Sequence, residues 1–408
     1  MNKKTIILVE SGNFGMEIVE LYNLDYNVIF LSTGILPFDT SMNKYILKHI
    51  EDRSIVKLNY LESIIKELLR GYNVISIFTT SDFFIYPVSI ICEKFNFNTL
   101  NSTSAEIFSN KFNFRFNQQS KGFLHPEFYK FSNLNDGMAL INKNRHKKWV
   151  FKPIMGNESI GVKLITSSKD LKECYQANKN LARYTNNLFS QDYMLEEYIT
   201  GEIYSCEFIT SKHGLHILGI TNRHITPPPF FVELEYCFPF QDHLTCELYR
   251  ETEKFVRNFN YDFGPCHLEF IVTKENYIYI LEVNPRIMGW PNNWLIDRAL
   301  DCNIFREIAN LYITGKINIK TNFYNNFTCC LEVTTPSNGY LVSIDVNRDW
   351  SNHKNIKVIQ NVKEGTYIKT ASSNKDILLR ILTVGATTSE AIRLAQEVQD
   401  SYQLNIVQ

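Results

Sequence analysis

The clearest chemistry in this chain lies in Glu269, Glu282, Asn284 and Arg286. Glu269 and Glu282 sit in two β-type runs, His267–Thr273 and Tyr277–Val283, separated by a short polar turn, and Asn284 and Arg286 follow the second. If Glu275-Asn276 forms a two-residue hairpin turn, Glu269 falls directly opposite Glu282. Residues two apart on a strand share a face, so Asn284 follows Glu282 and Arg286 follows Asn284. The same spacing puts Ile271, Ile278 and Ile280 on that face. Opposed carboxylates on a partly apolar face repel each other and call for a cation. Their oxygen atoms suit a hard divalent ion, Mg²⁺ first and Mn²⁺ as the alternative. Arg286 then stands beside the metal as a fixed positive charge. The competing interpretation is a plain hairpin whose acids and arginine make unrelated salt bridges.

Three more segments carry candidate groups. Lys152 ends a β-type run and is followed by a Gly/Ser turn, Met155–Val162, able to place an ammonium and backbone N–H groups around phosphates. G-K-[ST] is absent, so it is not a Walker loop, and an ordinary hairpin with an exposed lysine accounts for it equally well. Met194–Glu202 has a strand end whose backbone can read an adenine edge, and carboxylates that can hold ribose hydroxyls. Solvated acids before a Gly turn are the simpler account of that segment taken alone. Arg223 and Phe230–Tyr236 mix aromatics, acids and an arginine in a way that suits a zwitterion pocket or an exposed acidic strand. His267 adjoins the acidic hairpin, but a lone histidine on a strand is more often structural.

These groups need elements to position them. The chain begins with a strand, Thr5–Glu10, a Gly12-x-x-Gly15 turn, a helix over Phe14–Tyr22 and a strand over Asn27–Ser32. A strand at Val74–Thr79 and a helix at Tyr86–Phe95 continue an alternation that implies a parallel α/β layer. The Gly12 turn lacks the full G-x-G-x-x-G, so a plain tight turn is preferred over a phosphate cradle. A compositional seam covers residues 101–120. Beyond it come strands Trp149–Pro153 and Gly161–Thr166, then a helix Ser168–Asn178 capped by Ser168. Strands Glu202–Thr210 and His216–Thr221 follow, and an amphipathic helix Thr388–Tyr402 closes the chain.

Composition excludes several classes. The 408 residues allow two or three domains. A net charge of −1 gives no basis for binding nucleic acid or an anionic membrane. No apolar run approaches the roughly 18 residues of a membrane span. Nine cysteines with no C-x-x-C argue against a disulfide framework or zinc site and point to the cytoplasm.

Taken in order, these motifs resemble the ATP-grasp superfamily, specifically the carboxylate–amine ligases related to biotin carboxylase. Asn110-Lys111 with Gly122–Pro126 downstream, Lys152 with Met155–Val162, Glu196–Ile199, and Glu269 with Glu282-x-Asn284-x-Arg286 match the family pattern over roughly residues 5–400. Within the superfamily the chain looks most like L-amino acid ligases. Trp290 occupies a pocket position that some of those ligases fill with Trp, and Phe231-Val232-Glu233 resembles their F-x-E segment. There are departures: Tyr236 replaces a frequent His, Ile203 replaces a ribose-binding Glu, and Ile287-Met288 replaces smaller residues.

The resemblance implies a mixed α/β and α+β, three-part fold. An N-terminal parallel α/β domain over residues 1–110 precedes a linker and small mobile lid over 111–197. A large antiparallel catalytic domain over 198–408 completes it. It implies nucleotide contacts from Lys111, Val150, Lys152, Gly156, Ser159, Glu196, Glu197, Tyr198, Ile199, Glu202 and Ile271, with Glu207 as the alternative ribose ligand. It places substrate at Arg223, Glu233, Tyr236, Gly289 and Trp290, metal at Glu269, Glu282 and Asn284, and catalysis at Arg286. The implied reaction activates a carboxylate with ATP and Mg²⁺ as an acyl phosphate, then couples it to an amine. Activation of bicarbonate by a carboxylase is the runner-up, and a non-catalytic ATP-binding protein is third. The expected partners are small molecules, and a homodimer is left open.

Overall fold

A computed structural model describes residues 3–144, 146–156, 159–185, 188, 192–320 and 324–407. The N-terminal sheet is parallel, with strand order Lys48–Glu51, Asn27–Ser32, Thr5–Val9, Val74–Phe78. All five residues of Thr5–Val9 are buried, as expected for a parallel strand covered on both faces. The helix Leu58–Gly71 covers one face by burying Leu61, Ile65 and Leu68, an i, i+4, i+7 stripe. The tight turn at Gly12–Gly15 is held by Ser11 Oγ, which accepts from Asn13 N at 3.0 Å and Gly15 N at 2.8 Å. Phe14 and Gly15 both have positive φ, so the helix starts at Glu17, later than expected.

The seam at 101–120 is two short helices, Ser102–Phe108 and Lys111–Ser120, capped by Asn101 and Asn110. They lead into a four-stranded antiparallel sheet ordered Phe128–Phe131, Tyr193–Glu197, Trp149–Pro153, Lys163–Ile165. Phe131, Trp149, Phe151, Leu171 and Tyr193 form its core under the helices Leu134–Lys143 and Ser168–Tyr184. The second helix is capped by Ser167, not Ser168, and runs past Asn178. Two of its contacts with the rest of the molecule lie far from the linker helices. Leu164 N donates to Pro229 O at 2.9 Å, and Ile160, Leu181 and Leu188 pack against the core of the parallel layer.

The largest sheet has eight antiparallel strands, in the order Ile278–Asn284, Gly264–Val272, Glu202–Ser211, Gly214–Ile225, Glu233–Phe238, Phe327–Val333, Leu379–Gly385, Ile356–Gln360. Helix Thr245–Asn258 covers part of one face, with Phe255 in an aromatic cluster. Helices Asn293–Leu300 and Ile304–Thr314 bury a second cluster shared with the parallel layer. Helix Thr388–Asp400 packs on a third, and Tyr402 starts a strand instead of ending that helix. A three-stranded sheet, Tyr367–Ile368, Gly339–Val346, Tyr402–Val407, completes the fold. Among the described residues no helix is long and apolar enough to cross a membrane.

Candidate active site

The acidic hairpin has the expected pairing for an unexpected reason. Its turn is one residue longer than two: Thr273 N donates to Tyr277 O at 3.0 Å and Asn276 N to Thr273 O at 2.9 Å. Asn276 has φ 62°, the left-handed residue that closes a three-residue hairpin loop. Alone, this shift would move Glu282 off Glu269. A bulge between Glu269 and Phe270 restores the register, so Glu269 pairs with Glu282 while Phe270 pairs with Ile280. Between turn and bulge the faces are exchanged. Tyr279, opposite Ile271, shares the cavity face, while Ile278 and Ile280 turn to the aromatic core. The expectation that those two isoleucines accompany the carboxylates is therefore corrected.

The hairpin borders a cavity of about 660 Å³ between the parallel layer, the small antiparallel sheet and the large one. Glu269, Glu282, Asn284, Arg286, Arg223, Glu233, Gly289 and Trp290 all line it. So do Lys111, Val150, Lys152, Gly156, Ser159, Glu196, Glu197, Tyr198, Ile199 and Ile271. Asn157 and Glu158 of the Gly/Ser turn lie outside the described residues. Two other expected residues do not reach the cavity. Glu202 is exposed and accepts from Tyr204 Oη at 2.7 Å. Tyr236 is buried behind the wall, its Oη 2.6 Å from Asn292 Oδ1 and 2.8 Å from Glu332 Oε1. Glu207 is enclosed too: it pairs with His267 Nδ1 and accepts from Met288 N at 3.3 Å.

The charges are arranged in linked pairs. Lys111 Nζ lies 2.9 Å from Glu282 Oε1 and donates to Gly156 O at 2.8 Å. Glu269 Oε1 lies 2.9 Å from His267 Nε2 and 3.9 Å from Arg223 Nη1. Burial opposes its charge, but His267 and Arg223 outweigh burial and hold the carboxyl at about 2. Glu269 is therefore ionised at neutral pH. Arg223 also pairs with Glu233, whose Oε2 accepts from Asn374 Nδ2 at 3.3 Å. Arg286 Nε donates to Asp82 Oδ2 at 2.9 Å, and its Nη2 reaches Asn284 Oδ1 at 3.5 Å. Trp290 N donates to Asn13 Oδ1 at 3.0 Å, and its ring meets Phe14 edge-on at 5.3 Å. The helix beyond it begins at Asn293, so Trp290 precedes that helix.

At the other end Glu196 is buried between two cations. Arg115 Nε lies 2.9 Å from Oε1 and Lys152 Nζ 2.5 Å from Oε2. Burial alone would raise this carboxyl; the two cations overcome it and hold it at about 2. The Glu196 side chain is thus occupied, while Glu197, Tyr198 and Ile199 continue along the cavity. Gly201 is required next: a Cβ there would meet Val272 O at 2.4 Å, where the segment crosses the hairpin.

Among the described residues no three His, Cys, Asp or Glu side chains cluster to hold a metal by themselves. Two ionisable carboxylates and an amide oxygen on one hairpin still fit Mg²⁺ shared with phosphate oxygens, since that ion takes few protein ligands. Sequence reasoning missed Asp82, Arg115, Asn374, Lys375 and Arg380, all of which line the cavity or, for Asn374 and Arg115, also anchor its acids. Arg115 carried a signal, since it lies one helical turn from Lys111. The others come from remote segments and carried none.

Residues 146–293 match the model of the ATP-grasp domain. A curated relative, the uncharacterized protein y4rH of Sinorhizobium fredii, is 25% identical over 328 residues, 78% of this chain and 65% of the relative. The chain thus spans just under two thirds of the length of that relative. L-amino acid ligase from Bacillus licheniformis superimposes with a TM-score of 0.83 at 19% identity, over 100% of this chain and 99% of the other. Phosphoribosylglycinamide synthetase from Anaerococcus prevotii gives 0.71 at 15% identity, over 100% of both chains. The biotin carboxylase domain of Hydrogenobacter thermophilus 2-oxoglutarate carboxylase, solved with MgADP and bicarbonate, gives 0.69 at 13% identity, over 100% of this chain and 92% of the other. These likenesses establish the fold over the whole chain.

Proposed function

Proceeding from an ATP-grasp domain at residues 146–293 in a chain of that fold, we propose an ADP-forming ligase that activates a carboxylate as an acyl phosphate and couples it to an amine. One observation carries the reading: Glu269 and Glu282 face each other in register, with Asn284 and Arg286 beside them, in the cavity that also holds Lys111 and Lys152.

In this reading Glu269, Glu282 and Asn284 hold Mg²⁺, which when bound neutralises charge on the transferred phosphoryl group. Lys111 and Lys152 offset phosphate charge from the other side. Val150, Ile199 and Ile271 give the nucleotide base an apolar bed, and backbone groups of Glu197–Ile199 read its edge. Arg286, kept in place by Asp82, orients the carboxylate with paired donors and stabilises the oxyanion formed when the amine attacks. Arg223, Glu233, Gly289 and Trp290 border the organic substrates. The acyl phosphate must be kept from water. The small antiparallel sheet serves as the lid, its strand Lys163–Ile165 bonded to the Pro229 segment.

The choice between an organic acid and bicarbonate rests on Trp290 and Phe14, whose rings shape an apolar wall that bicarbonate does not need. The test is ADP release with Mg-ATP over a panel of amino-acid pairs, other carboxylate–amine pairs and bicarbonate. ADP with an organic pair supports the ligase; ADP with bicarbonate alone overturns it in favour of a carboxylase.

A further inference from the structure

The carboxylates that line the cavity are backed by a row of buried polar side chains. Three strands of the large sheet meet there in register. One row across them is Glu207, His267 and Asn284, and the next is Ser205, Glu269 and Glu282. Residues two apart on a strand share a face, so all six side chains lie on one side of the sheet. His267 stands in the middle of the first row, 3% exposed, beside a Glu207 that is fully buried. Its Nδ1 lies 2.5 Å from Glu207 Oε1. Its Nε2 lies 2.9 Å from Glu269 Oε1 and 3.0 Å from Arg223 Nη2. Glu207 is fixed in turn: its Oε1 accepts from Ser205 Oγ at 3.1 Å and its Oε2 from Met288 N at 3.3 Å.

A histidine that only compensated Glu207 would need one nitrogen. Here the second nitrogen meets a carboxylate that lines the cavity. A glutamate side chain has several staggered settings, and only some aim its oxygens at an ion shared with Glu282. The imidazole is rigid. With Nδ1 held on Glu207, its Nε2 is a fixed point that selects one setting of Glu269. Groups that hold metal ligands in this way set the ligand's direction and with it the affinity for the ion. Met288 extends the control, because the segment just after Arg286 is bonded to the same Glu207. We infer that His267, anchored by Glu207, is a positioning residue that orients Glu269 toward the divalent ion. This rests on the ligase reading above, in which Glu269 is a metal ligand.

The experiment uses the full chain and measures Mn²⁺ binding in the presence of ADP, read from the electron paramagnetic resonance signal of the free ion. His267→Asn retains an amide for Glu207 and leaves Glu269 without one, whereas His267→Gln extends its amide to Glu269. His267→Asn should weaken Mn²⁺ binding about 10- to 100-fold, and His267→Gln should recover part of that loss. In steady state the Mg²⁺ concentration for half-maximal ADP release should rise in His267→Asn, while kcat at saturating Mg²⁺ changes less. Leu268→Ala, in the aromatic core on the opposite face of the same strand, controls for lost stability: it should lower the melting temperature and leave Mn²⁺ binding unchanged. Native Mn²⁺ affinity in a folded His267→Asn protein, no recovery in His267→Gln, or an equal loss in Leu268→Ala overturns the positioning role and leaves the ligase standing. If the native protein with ADP binds no Mn²⁺, the metal assignment of Glu269 falls, and the inference with it.

Discussion

Replacing Arg115 with methionine should destabilise the protein by about 3 kcal/mol at neutral pH, and the loss should depend on pH. The Arg115 side chain is 2% exposed and the Glu196 side chain 4%. Arg115 donates to Glu196, to Gln118 Oε1 at 2.7 Å, to Ile280 O at 2.9 Å and to Leu281 O at 2.6 Å. It therefore joins the helix after Asn110, the small antiparallel sheet and the bulged hairpin strand. Breaking a buried pair by removing one partner costs about 3–5 kcal/mol. Lys152 still compensates Glu196, which sets the expectation near the lower bound. The carboxyl gives a second measure. It is held at about 2 against an ordinary 4.5 by Arg115 and Lys152 together, so at roughly 1.4 kcal/mol per tenfold the difference, about 3.5 kcal/mol, bounds what either cation supplies through this carboxyl. The sign follows from the direction. A carboxyl with a depressed folded pKa stabilises the protein fully above its unfolded value. That stability is lost as pH falls from about 4.5 towards about 2. Urea midpoints of both proteins at pH 7 and pH 3 test this. The gap should be widest at pH 7 and shrink at pH 3. A gap below about 1 kcal/mol, the scale of a surface pair, or one that does not change with pH, would refute the reasoning.

Other outcomes follow from the same geometry. Glu282→Gln should abolish ADP formation while leaving the melting temperature within a few degrees, because Glu282 sits at the partly exposed cavity wall; near-normal turnover would remove it from the metal site. Chromatography of the products should show ADP and phosphate, and AMP with pyrophosphate would instead mean adenylation. Hydrogen exchange in Lys163–Ile165 should slow on adding Mg-ATP as the strand is held against the Pro229 segment, whereas unchanged exchange argues against a closing lid. Trp290→Ala should admit bulkier acids with modest loss of stability. A loss of about 3–5 kcal/mol with unchanged selectivity would instead assign Trp290 to the core.

Local periodicity reveals the strands of this fold well and their registers less well. Trp149–Pro153 and Asn27–Ser32 fall where β-branched and aromatic runs put them, because such runs need only a covered sheet position. The acidic hairpin shows the limit. A two-residue turn predicts Glu269 opposite Glu282, and that pairing is present. Yet the turn holds three residues, and the bulge near Leu281 absorbs the extra one. The two departures cancel at the carboxylates and not at Ile278, Tyr279 and Ile280. A bulge leaves no mark in hydrophobic alternation when both faces are partly apolar, as here. Its position is set by what the bulged backbone bonds to: the carbonyls of Ile280 and Leu281 both accept from Arg115.

That contact also explains why half of the site was not visible in the chain. The hairpin acids share a strand pair, so spacing alone could find them. Their compensating charges do not. Glu282 is met by Lys111, Arg286 by Asp82, Glu233 by Arg223 and Asn374, and Glu196 by Arg115 and Lys152. The Lys111–Glu282, Asp82–Arg286 and Arg115–Glu196 pairs each span separate elements of the fold, and the first two join different layers. A carboxylate in a cavity must be paired or protonated, so sequence could predict that Glu269 and Glu282 have partners but not which ones. The same requirement ties chemistry to assembly. Asp82 brings the parallel layer to Arg286, and Arg115 brings the small sheet to the bulged strand, so the partners that compensate the cavity's charges also hold its three layers in register.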